Sequence, residues 1–423
     1  MNLFNLKSYC ARLSAAAMLI ILAWGCGRVP SLSELTPPSS RLPFVRVLLD
    51  LGSRQHLIAS ADKGQMTIDC YKGDKRVPYY SRKPVIIAAE GDKVALFSQD
   101  RKTLDYDIDR IVVSSRSKTP VLSIDGKKYR GLAQMESVSG QITLVNILYM
   151  EDYLKGVVPL EIGPTPEEQF EAIKAQAIAA RTYSMAHFGQ YGDQAGYDLK
   201  SDVADQVYEG FGAEDKLVNK AIGATVGEVL VYRDKMIDAY YHSTCGGWTD
   251  DIEDVWDKDP RPYLRAVSDD DACKISKYFT WQERFSGDQL ILRLERYLEQ
   301  ERGSEIHLGK LLNMEVTNRT PGGRAASVIF ETANGHFVFN KEKVRWVVRQ
   351  SDNLDAIMRS ANFTIDLQRD ADGNILQVTF TGRGYGHGVG MCQMGARGMA
   401  AKGITYDSIL HLYYQGTDLK KLY

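Results

Sequence analysis

The amino-acid sequence predicts an α+β protein in which a β-rich amino-terminal platform is followed by a mixed α/β domain. Two patterns support this prediction. Residues 43–128 contain short β-branched runs separated by glycine, aspartate and lysine turns, which is typical of consecutive strands. Residues 129–423 add runs with apolar or small residues at every third or fourth position, which indicates packed helices between further strands.

The first 25 residues have the features of a secretory signal peptide. Lys7 and Arg12 precede an apolar run at 13–22, and small residues precede Cys26. The run is too short to cross a membrane as a helix, which needs about 20 apolar residues. Small residues just before a cysteine are typical of bacterial lipoproteins. We therefore expect an exported chain that begins at Cys26 and is anchored to a membrane by a lipid there; simple secretion is the alternative.

Residues 26–42 are rich in proline and serine, so we expect them to form a flexible tether. The whole chain has 52 basic and 54 acidic residues, for a formal net charge of −2. Proteins that bind nucleic acids usually show a basic excess, because neutralising phosphates supplies much of their affinity. The composition therefore argues against a nucleic-acid partner and favours a neutral or weakly charged substrate.

Six cysteines are present: Cys10 in the signal, Cys26 at the expected new terminus, and Cys70, Cys245, Cys273 and Cys392 in the folded part. Export to an oxidising compartment permits disulfides among the last four. Four cysteines allow three full pairings, and their spacing alone leaves the connectivity open.

Glu161 closes an apolar stretch that starts at residue 148 and reads as a short helix with a turn at Gly156. Residues 165–168 predict a capping box with Thr165 as N-cap of the next helix, so Glu161 would lie in a loop before that helix. A lone loop glutamate is more often a solvated surface residue. Its apolar neighbours would raise its pKa by desolvation, whereas the following helix terminus would lower the pKa, and the sequence leaves the balance open.

Two further segments carry polar groups next to glycines. Residues 241–248 place His242, Ser243 and Thr244 before a Gly-Gly turn; such a segment is more often a polar turn than a site, and no Gly-x-Ser-x-Gly nucleophile elbow is present. In residues 381–397, five glycines alternate with larger residues and match neither a phosphate loop nor a dinucleotide fingerprint. Alternating glycines instead permit close backbone approach, and we expect a helix from Gln393 that Gly403 ends.

Together these segments closely resemble the stage II sporulation protein D family, which includes the amidase enhancers of the cell wall. The resemblance covers about residues 129–423 and does not include the preceding strands. The matching pieces are residues 153–161 (YLKGVVPLE), 171–183 (EAIKAQAIAARTY), 241–247 (YHSTCGG), 262–264 (PYL) and 384–396 (GYGHGVGMCQMGA).

The sporulation members of that family are lytic transglycosylases that act on peptide-stripped peptidoglycan glycan. The resemblance implies that Glu161 is the catalytic residue. It would protonate the glycosidic oxygen and then accept the proton of the muramic acid 6-hydroxyl, which closes a 1,6-anhydro ring. The residues expected to bind the glycan are Arg181, Tyr183, His242, Ser243, Thr244, Tyr385, His387 and Gln393.

The chain departs from the family where members often carry serine, at Cys245 and Cys392. We expect a disulfide between Cys245 and Cys273, and no cofactor. Since some relatives bind zinc near this segment, a zinc ion held by His242, Cys245 and Cys273 is the weaker alternative, because structural zinc usually takes four ligands. Free thiols are the third alternative.

Two rival functions are open. The first is a non-enzymatic, wall-binding activator of a cell-wall amidase, because the enhancers share the same motifs. The second is a peptidase with a Cys392–His387 pair, although no orienting carboxylate is evident beside them. Nothing in the sequence ties the chain to sporulation rather than to growth or division.

Overall fold

The computed structural model describes residues 43–192 and 195–423. They contain both strands and helices, with a β-rich first part, which confirms the predicted α+β class. The predicted signal peptide (1–25), the tether (26–42) and Cys26 lie outside the described residues. Within the described part of the chain, no helix is both long and apolar enough to cross a membrane.

The chain divides into two compact units. The first contains Leu51–Gly126 and Gly131–Ile147, and the second contains Val45–Asp50, Lys127–Arg130 and Leu148–Tyr423. The strands up to residue 149 are β1 (Phe44–Leu49), β2 (His56–Ala61), β3 (Met66–Lys72), β4 (Lys75–Ser81), β5 (Val85–Glu90), β6 (Lys93–Ser98), β7 (Thr103–Ile108), β8 (Arg110–Ser115), β9 (Val121–Ile124), β10 (Lys127–Arg130), β11 (Leu132–Val138) and β12 (Gln141–Tyr149).

The first unit consists of antiparallel strands in the orders β12-β11-β8-β3-β4 and β9-β2-β5-β6-β7. Alternate side chains such as Ile68, Cys70 and Ile111 are fully buried, as expected for strands with one face on a core. The sequence places a domain boundary between residues 128 and 129, and the division into compact units differs from it. The hairpin β11–β12 pairs with β8 through Met135 and Ile111, so the first unit extends to Ile147.

The second unit holds the helices. They are α1 (Met150–Ile162), α2 (Phe170–Ala186), α3 (Lys216–Ala224), α4 (Ile252–Val255), α5 (Gly287–Arg302), α6 (Lys343–Val348), α7 (Gln393–Ala400) and α8 (Tyr406–Tyr413). Its remaining strands are β13 (Leu199–Lys200), β14 (Glu228–Tyr232), β15 (Lys235–Met236), β16 (Tyr241–His242), β17 (Thr280–Phe285), β18 (Leu311–Arg319), β19 (Ala325–Thr332), β20 (Gly335–Asn340), β21 (Phe363–Arg369), β22 (Ile375–Arg383), β23 (Met391–Cys392) and β24 (Asp418–Lys421).

Helix α1 passes through Gly156 without the predicted turn. A Cβ at this buried glycine would lie 2.5 Å from the Tyr208 ring, so the glycine serves close packing against that ring. The helix runs to Ile162 and is capped by Gly163, which adopts a φ of 69° and donates its N–H to the Pro159 carbonyl. Glu161 therefore lies in the last turn of a helix, and the predicted loop position is wrong.

The predicted capping box is also wrong. Thr165 donates its hydroxyl to the Gly163 carbonyl, and residues Glu167–Gln169 form a 3₁₀ turn before α2 begins at Phe170. Helix α2 is buried along most of its length, because its alanines let neighbouring segments approach closely. It packs against α1, α3, α7 and β14.

Residues 280–383 form a distinct layer of the second unit. Two three-stranded sheets, β17-β22-β21 and β18-β19-β20, share an apolar core with α5 and α6. Helix α5 starts with a capping box between Ser286 and Gln289. Beyond this layer, the glycine-rich segment leads into β23, which pairs in parallel with β16.

The glycine-rich segment makes the close backbone contacts that the sequence predicts. Gly390 has a φ of 70°, and a Cβ there would lie 2.1 Å from the Tyr240 carbonyl oxygen. The predicted helix at Gln393 is also confirmed; it ends at Ala400, and Gly403 lies in the turn that follows.

Candidate functional site

A cavity of about 340 Å³ lies in the second unit. The end of α1, the last turn of α2 and the strand β16 each contribute to its walls. Its walls are mainly aromatic, with two carboxylates. The lining residues are Glu161, Tyr183, Val203, Ala204, Asp205, Val207, Tyr240, Tyr241, Trp256 and His387. The structure thus brings together three of the predicted site residues: Glu161, Tyr183 and His387.

Glu161 is partly buried in this cavity, and one of its carboxylate oxygens, Oε1, accepts the Val207 N–H at 3.3 Å. Burial raises the pKa of Glu161, and the Val207 hydrogen bond and the neighbouring Gln393 side chain reduce that rise. The carboxyl is therefore held protonated to a higher pH than in water. Gln393, the first residue of α7, was predicted to bind glycan; it is buried beside the carboxylate instead of lining the cavity.

A buried hydrogen-bond network lies behind Tyr241. The Gln206 side chain accepts from the hydroxyls of Tyr153 and Ser184, at 3.1 and 2.7 Å. Its Nε2 donates to the Tyr241 hydroxyl oxygen at 2.8 Å. Tyr153 belongs to α1 and Ser184 belongs to α2, so two helices hold Gln206 in place. The network therefore fixes the Tyr241 ring in the wall of the cavity.

His387 lines the cavity with its ring fully hydrogen-bonded. Its Nε2 lies 3.0 Å from the Tyr241 carbonyl oxygen, and its Nδ1 accepts the Val389 N–H at 3.1 Å. The carbonyl requires a proton on Nε2, so the ring is the neutral Nε2–H tautomer. Burial lowers the pKa of His387 to about 3, which agrees with that state. Both nitrogens are engaged, so the ring serves as a wall rather than as a proton carrier.

His242 lies behind this wall, with its ring centre 5.2 Å from that of His387. It is buried, its Nδ1 donates to the Val389 carbonyl at 3.2 Å, and burial lowers its pKa well below the usual value. A neutral, enclosed imidazole cannot reach a glycan in the cavity. The prediction that His242 binds substrate directly is corrected to a supporting position.

Ser243, Thr244 and Tyr385 also lie outside the cavity wall. Thr244 is fully buried; its backbone exchanges two hydrogen bonds with Tyr385, and its hydroxyl lies 2.8 Å from that of Ser276. The Tyr385 ring packs against Tyr278 at 4.6 Å. These contacts join the 241–247 and 384–396 segments, so the prediction that Thr244 binds glycan is corrected to a structural role.

Arg181 does not line the cavity, although the sequence predicted that it binds the glycan. Its side chain is fully buried and forms two hydrogen bonds with the Glu151 carboxylate, at 2.9 and 2.7 Å, while Nη1 donates to the Glu228 carbonyl. The Tyr423 hydroxyl completes this ion pair on Oε1 of Glu151. All three guanidinium nitrogens are occupied, which corrects the prediction: Arg181 fixes α2 to α1 and β14.

Sequence reasoning missed Asp205, the second carboxylate of the cavity. Its oxygens accept from the Gln190 side chain at 2.7 Å, the Tyr191 hydroxyl at 2.9 Å and the Lys200 N–H at 2.7 Å. Sequence reasoning also missed the aromatic walls Tyr240 and Trp256, which pack edge to face at 4.9 Å. These residues lie outside the recognised motifs, and only the fold brings them together.

The predicted disulfide between Cys245 and Cys273 is not formed. Their sulfur atoms lie 3.5 Å apart, whereas a disulfide bond is about 2.05 Å long, and both are free thiols. Cys392 and Asp269 join them, and the four ligand atoms lie within 4.8 Å of one another. The predicted Cys392–His387 pair is not formed either, because the His387 nitrogens are bonded to backbone groups.

Two family models match parts of this chain. A family model described as stage II sporulation protein matches residues 138–232, which include α1, α2 and the Asp205 loop. A second model, described as a domain of unknown function, matches residues 271–390, which include the layer of two three-stranded sheets and the first part of the glycine-rich segment.

Three relatives are similar over most of the chain. A stage II sporulation protein D of Bacillus subtilis is 31% identical across 64% of this chain and 74% of its own length. An uncharacterized protein of Brachyspira hyodysenteriae is 32% identical across 70% of this chain and 73% of its own length. An amidase enhancer of Bacillus subtilis is 29% identical across 73% of this chain. The matched region covers 46% of the enhancer's own length.

Proposed function

The chain belongs to the stage II sporulation protein D family, and we propose that it is a peptidoglycan lytic transglycosylase in which Glu161 is both acid and base. The similarity to sporulation and amidase-enhancer proteins supports a cell-wall-related function. The finer assignment rests on one observation: a carboxyl with a raised pKa in an aromatic-walled cavity.

The first step requires a protonated carboxyl. Burial keeps the Glu161 proton in place to a higher pH, so it is ready to be donated to the oxygen of a glycosidic bond. The flat rings of Tyr240, Tyr241 and Trp256 offer apolar faces to the C–H groups of a sugar, while their polar atoms lie at the ring edges. A glycan that packs against these rings would have its scissile bond beside Glu161, the carboxyl that transfers the proton.

The second step requires a base, and the ionised Glu161 supplies it. It accepts the proton of the muramic acid 6-hydroxyl as that oxygen attacks the anomeric carbon, so the carboxyl regains its starting state. A hydrolase would instead use a second carboxylate to attack the sugar or to activate water. Asp205 is the second carboxylate in the cavity, but three donors already occupy its oxygens. This favours ring closure over hydrolysis.

The products test this proposal. Peptide-stripped peptidoglycan glycan is digested with the full mature protein, and the chain ends are identified by mass spectrometry. We expect 1,6-anhydro-muramic acid ends. Reducing ends would overturn the transglycosylase assignment and point to a hydrolase. Glu168→Gln is a matched control, because Glu168 is an exposed carboxylate in the 3₁₀ turn near Glu161.

A second candidate is a non-enzymatic, wall-binding activator of a cell-wall amidase, supported by the similarity to the amidase enhancer. The two functions are separated by adding an amidase of the same cell envelope to intact peptidoglycan. If the protein is an activator, the wild type and the Glu161→Gln variant should stimulate the amidase equally, and neither should release glycan fragments by itself.

We also propose that the exported chain is anchored to a membrane by a lipid on Cys26, with the remainder facing the cell wall. The signal-like residues 1–25 and the cysteine that follows them support this placement. A membrane anchor would confine the enzyme to glycan strands within reach of the tether at 26–42.

A further inference from the structure

Three thiols and a carboxylate converge beside the cavity. Cys245 follows β16, Cys273 lies in the 3₁₀ turn Ala272–Ile275, and Cys392 is the N-cap of α7. Asp269 precedes the 3₁₀ turn. All four residues are at most 3% exposed, and their ligand atoms lie within 4.8 Å of one another. We propose that Cys245, Asp269, Cys273 and Cys392 bind one zinc ion in a closed, structural site.

The distances fit one ion held by four ligands. A tetrahedral zinc ion with Zn–S bonds of about 2.3 Å places two sulfurs about 3.8 Å apart. Cys245 and Cys273 have sulfurs 3.5 Å apart, and the Cys245 sulfur lies 3.1 Å from Oδ2 of Asp269. Small movements therefore bring these atoms to coordination geometry. A sulfur-rich tetrahedral donor set of this kind suits zinc.

A disulfide explains the cluster less well. It would join two sulfurs and leave a third thiol beside a buried carboxylate. Oδ1 of Asp269 is buried and has no hydrogen-bond partner among the described residues. An unpartnered carboxylate oxygen in a closed interior is costly. Bonding of Asp269 to an ion removes most of that cost.

Backbone N–H groups around the cluster favour ionised sulfur atoms. The N–H groups of Cys245 and Gly395 point at the Cys392 sulfur, at 3.1 and 3.2 Å, and the Gly247 N–H points at the Cys245 sulfur at 3.3 Å. Such donors stabilise negative sulfur, which is the form that binds a metal. Zinc binding would release the thiol protons to solvent, and the ion would offset two of the four negative charges that its ligands then carry. The backbone N–H dipoles would stabilise part of the remaining charge.

Gly395 makes the cluster sterically possible. A Cβ at this position would lie 2.1 Å from the Tyr413 hydroxyl and 2.5 Å from Oδ2 of Asp269. The Tyr413 hydroxyl is itself buried without a partner among the described residues. Because this hydroxyl and Oδ2 of Asp269 both lie within 2.5 Å of the same point, Tyr413 is a neighbour of the carboxylate and could orient it as a metal ligand.

This ligand set differs from the one expected from the sequence, since His242 is not among the four. The ion would join three segments that are far apart in the chain. Two of them continue into the cavity: Cys392 precedes Gln393, which faces Glu161, and Cys245 follows the strand of Tyr241. Its role would be to hold these segments together, and the proposal does not depend on the enzymatic activity.

Elemental analysis of the full mature protein, purified without chelator, tests the proposal directly. We expect one zinc ion per chain and X-ray absorption that shows three sulfur neighbours and one oxygen neighbour. Cys392→Ser and Asp269→Asn should lose the ion, whereas Cys70→Ala should keep it, because Cys70 is buried in the first unit. The wild-type measurement stands even if a ligand variant does not fold.

Peptide mapping without reductant supplies the opposing result. A disulfide between any two of Cys245, Cys273 and Cys392 in freshly purified protein would overturn the proposal. Metal-free protein with all three thiols free would do the same. Stoichiometric iron in place of zinc would overturn the choice of ion. In a zinc-loaded protein, chelation should lower the melting temperature, and added zinc should restore it.

Discussion

The Val207 N–H donates to Oε1 of Glu161 at 3.3 Å, and this bond holds the carboxyl at the wall of the cavity. Val207 belongs to the same loop as Asp205 and Gln206. One loop therefore positions the catalytic carboxyl, holds the second carboxylate and supports the Tyr241 ring.

Glu161→Gln should stabilise the protein at neutral pH. Burial raises the pKa of Glu161 in the folded state, so the folded protein binds a proton more tightly than the unfolded chain. The carboxyl consequently destabilises the fold as pH rises above its unfolded pKa. The amide removes this penalty, and we expect a gain on the order of 1 kcal/mol.

Thermal denaturation across pH measures this effect. The gain should be present at neutral pH and should vanish at acidic pH, where the carboxyl is protonated in both states. Equal stability of the two proteins at all pH values would contradict the burial argument. Glu168→Gln, at an exposed position, provides the baseline.

Asp205→Asn should reduce stability but leave the product chemistry unchanged. The new amide group would face donors from Gln190, Tyr191 and Lys200, so at least one hydrogen bond is lost, at a cost of about 1–3 kcal/mol. The remaining activity should still yield anhydro ends. Reducing ends from the wild type, together with inactive but folded Asp205→Asn, would instead make Asp205 the base of a hydrolase.

Arg181→Met should destabilise the protein strongly without a specific effect on glycan binding. Removing one partner of a buried ion pair costs about 3–5 kcal/mol, because the Glu151 carboxylate is left buried. The double variant Arg181→Met/Glu151→Leu should recover part of that loss. A folded Arg181→Met protein with normal stability and weakened glycan binding would restore the binding role that the sequence predicted.

Three residues of the cavity wall, Glu161, Tyr183 and His387, were predictable from the sequence, because each lies in a contiguous motif. Gly156 was misread: glycine usually ends helices, but here its missing Cβ admits the Tyr208 ring. Arg181 and Thr244 were assigned to the substrate because a motif does not show which way a side chain points. The positions of Asp205 and Trp256 in the cavity, and the proximity of Asp269 to Cys392, arise only from tertiary folding.

Cys26→Ser should release the exported protein from membranes, because it removes the proposed acylation site. Fractionation of cells that produce the full-length chain tests this, with Cys70→Ala as the control that keeps an intact signal region. Membrane association of Cys26→Ser equal to that of the wild type, with the signal still removed, would exclude the lipid anchor. A single acyl chain binds weakly, so a second membrane contact would also be needed for tight anchoring.

The rate at which Glu161→Gln cleaves peptide-stripped glycan is the most direct test of the central claim. The amide keeps the shape of the side chain and can still accept the Val207 N–H, but it cannot donate or accept a proton at neutral pH. We expect cleavage to fall by about 10²–10⁴-fold, toward the upper end because one group serves both proton transfers. Fold and glycan binding should be preserved, the melting temperature should not fall, and Glu168→Gln should cleave like the wild type. A Glu161→Gln protein that cleaves at the wild-type rate would contradict the account.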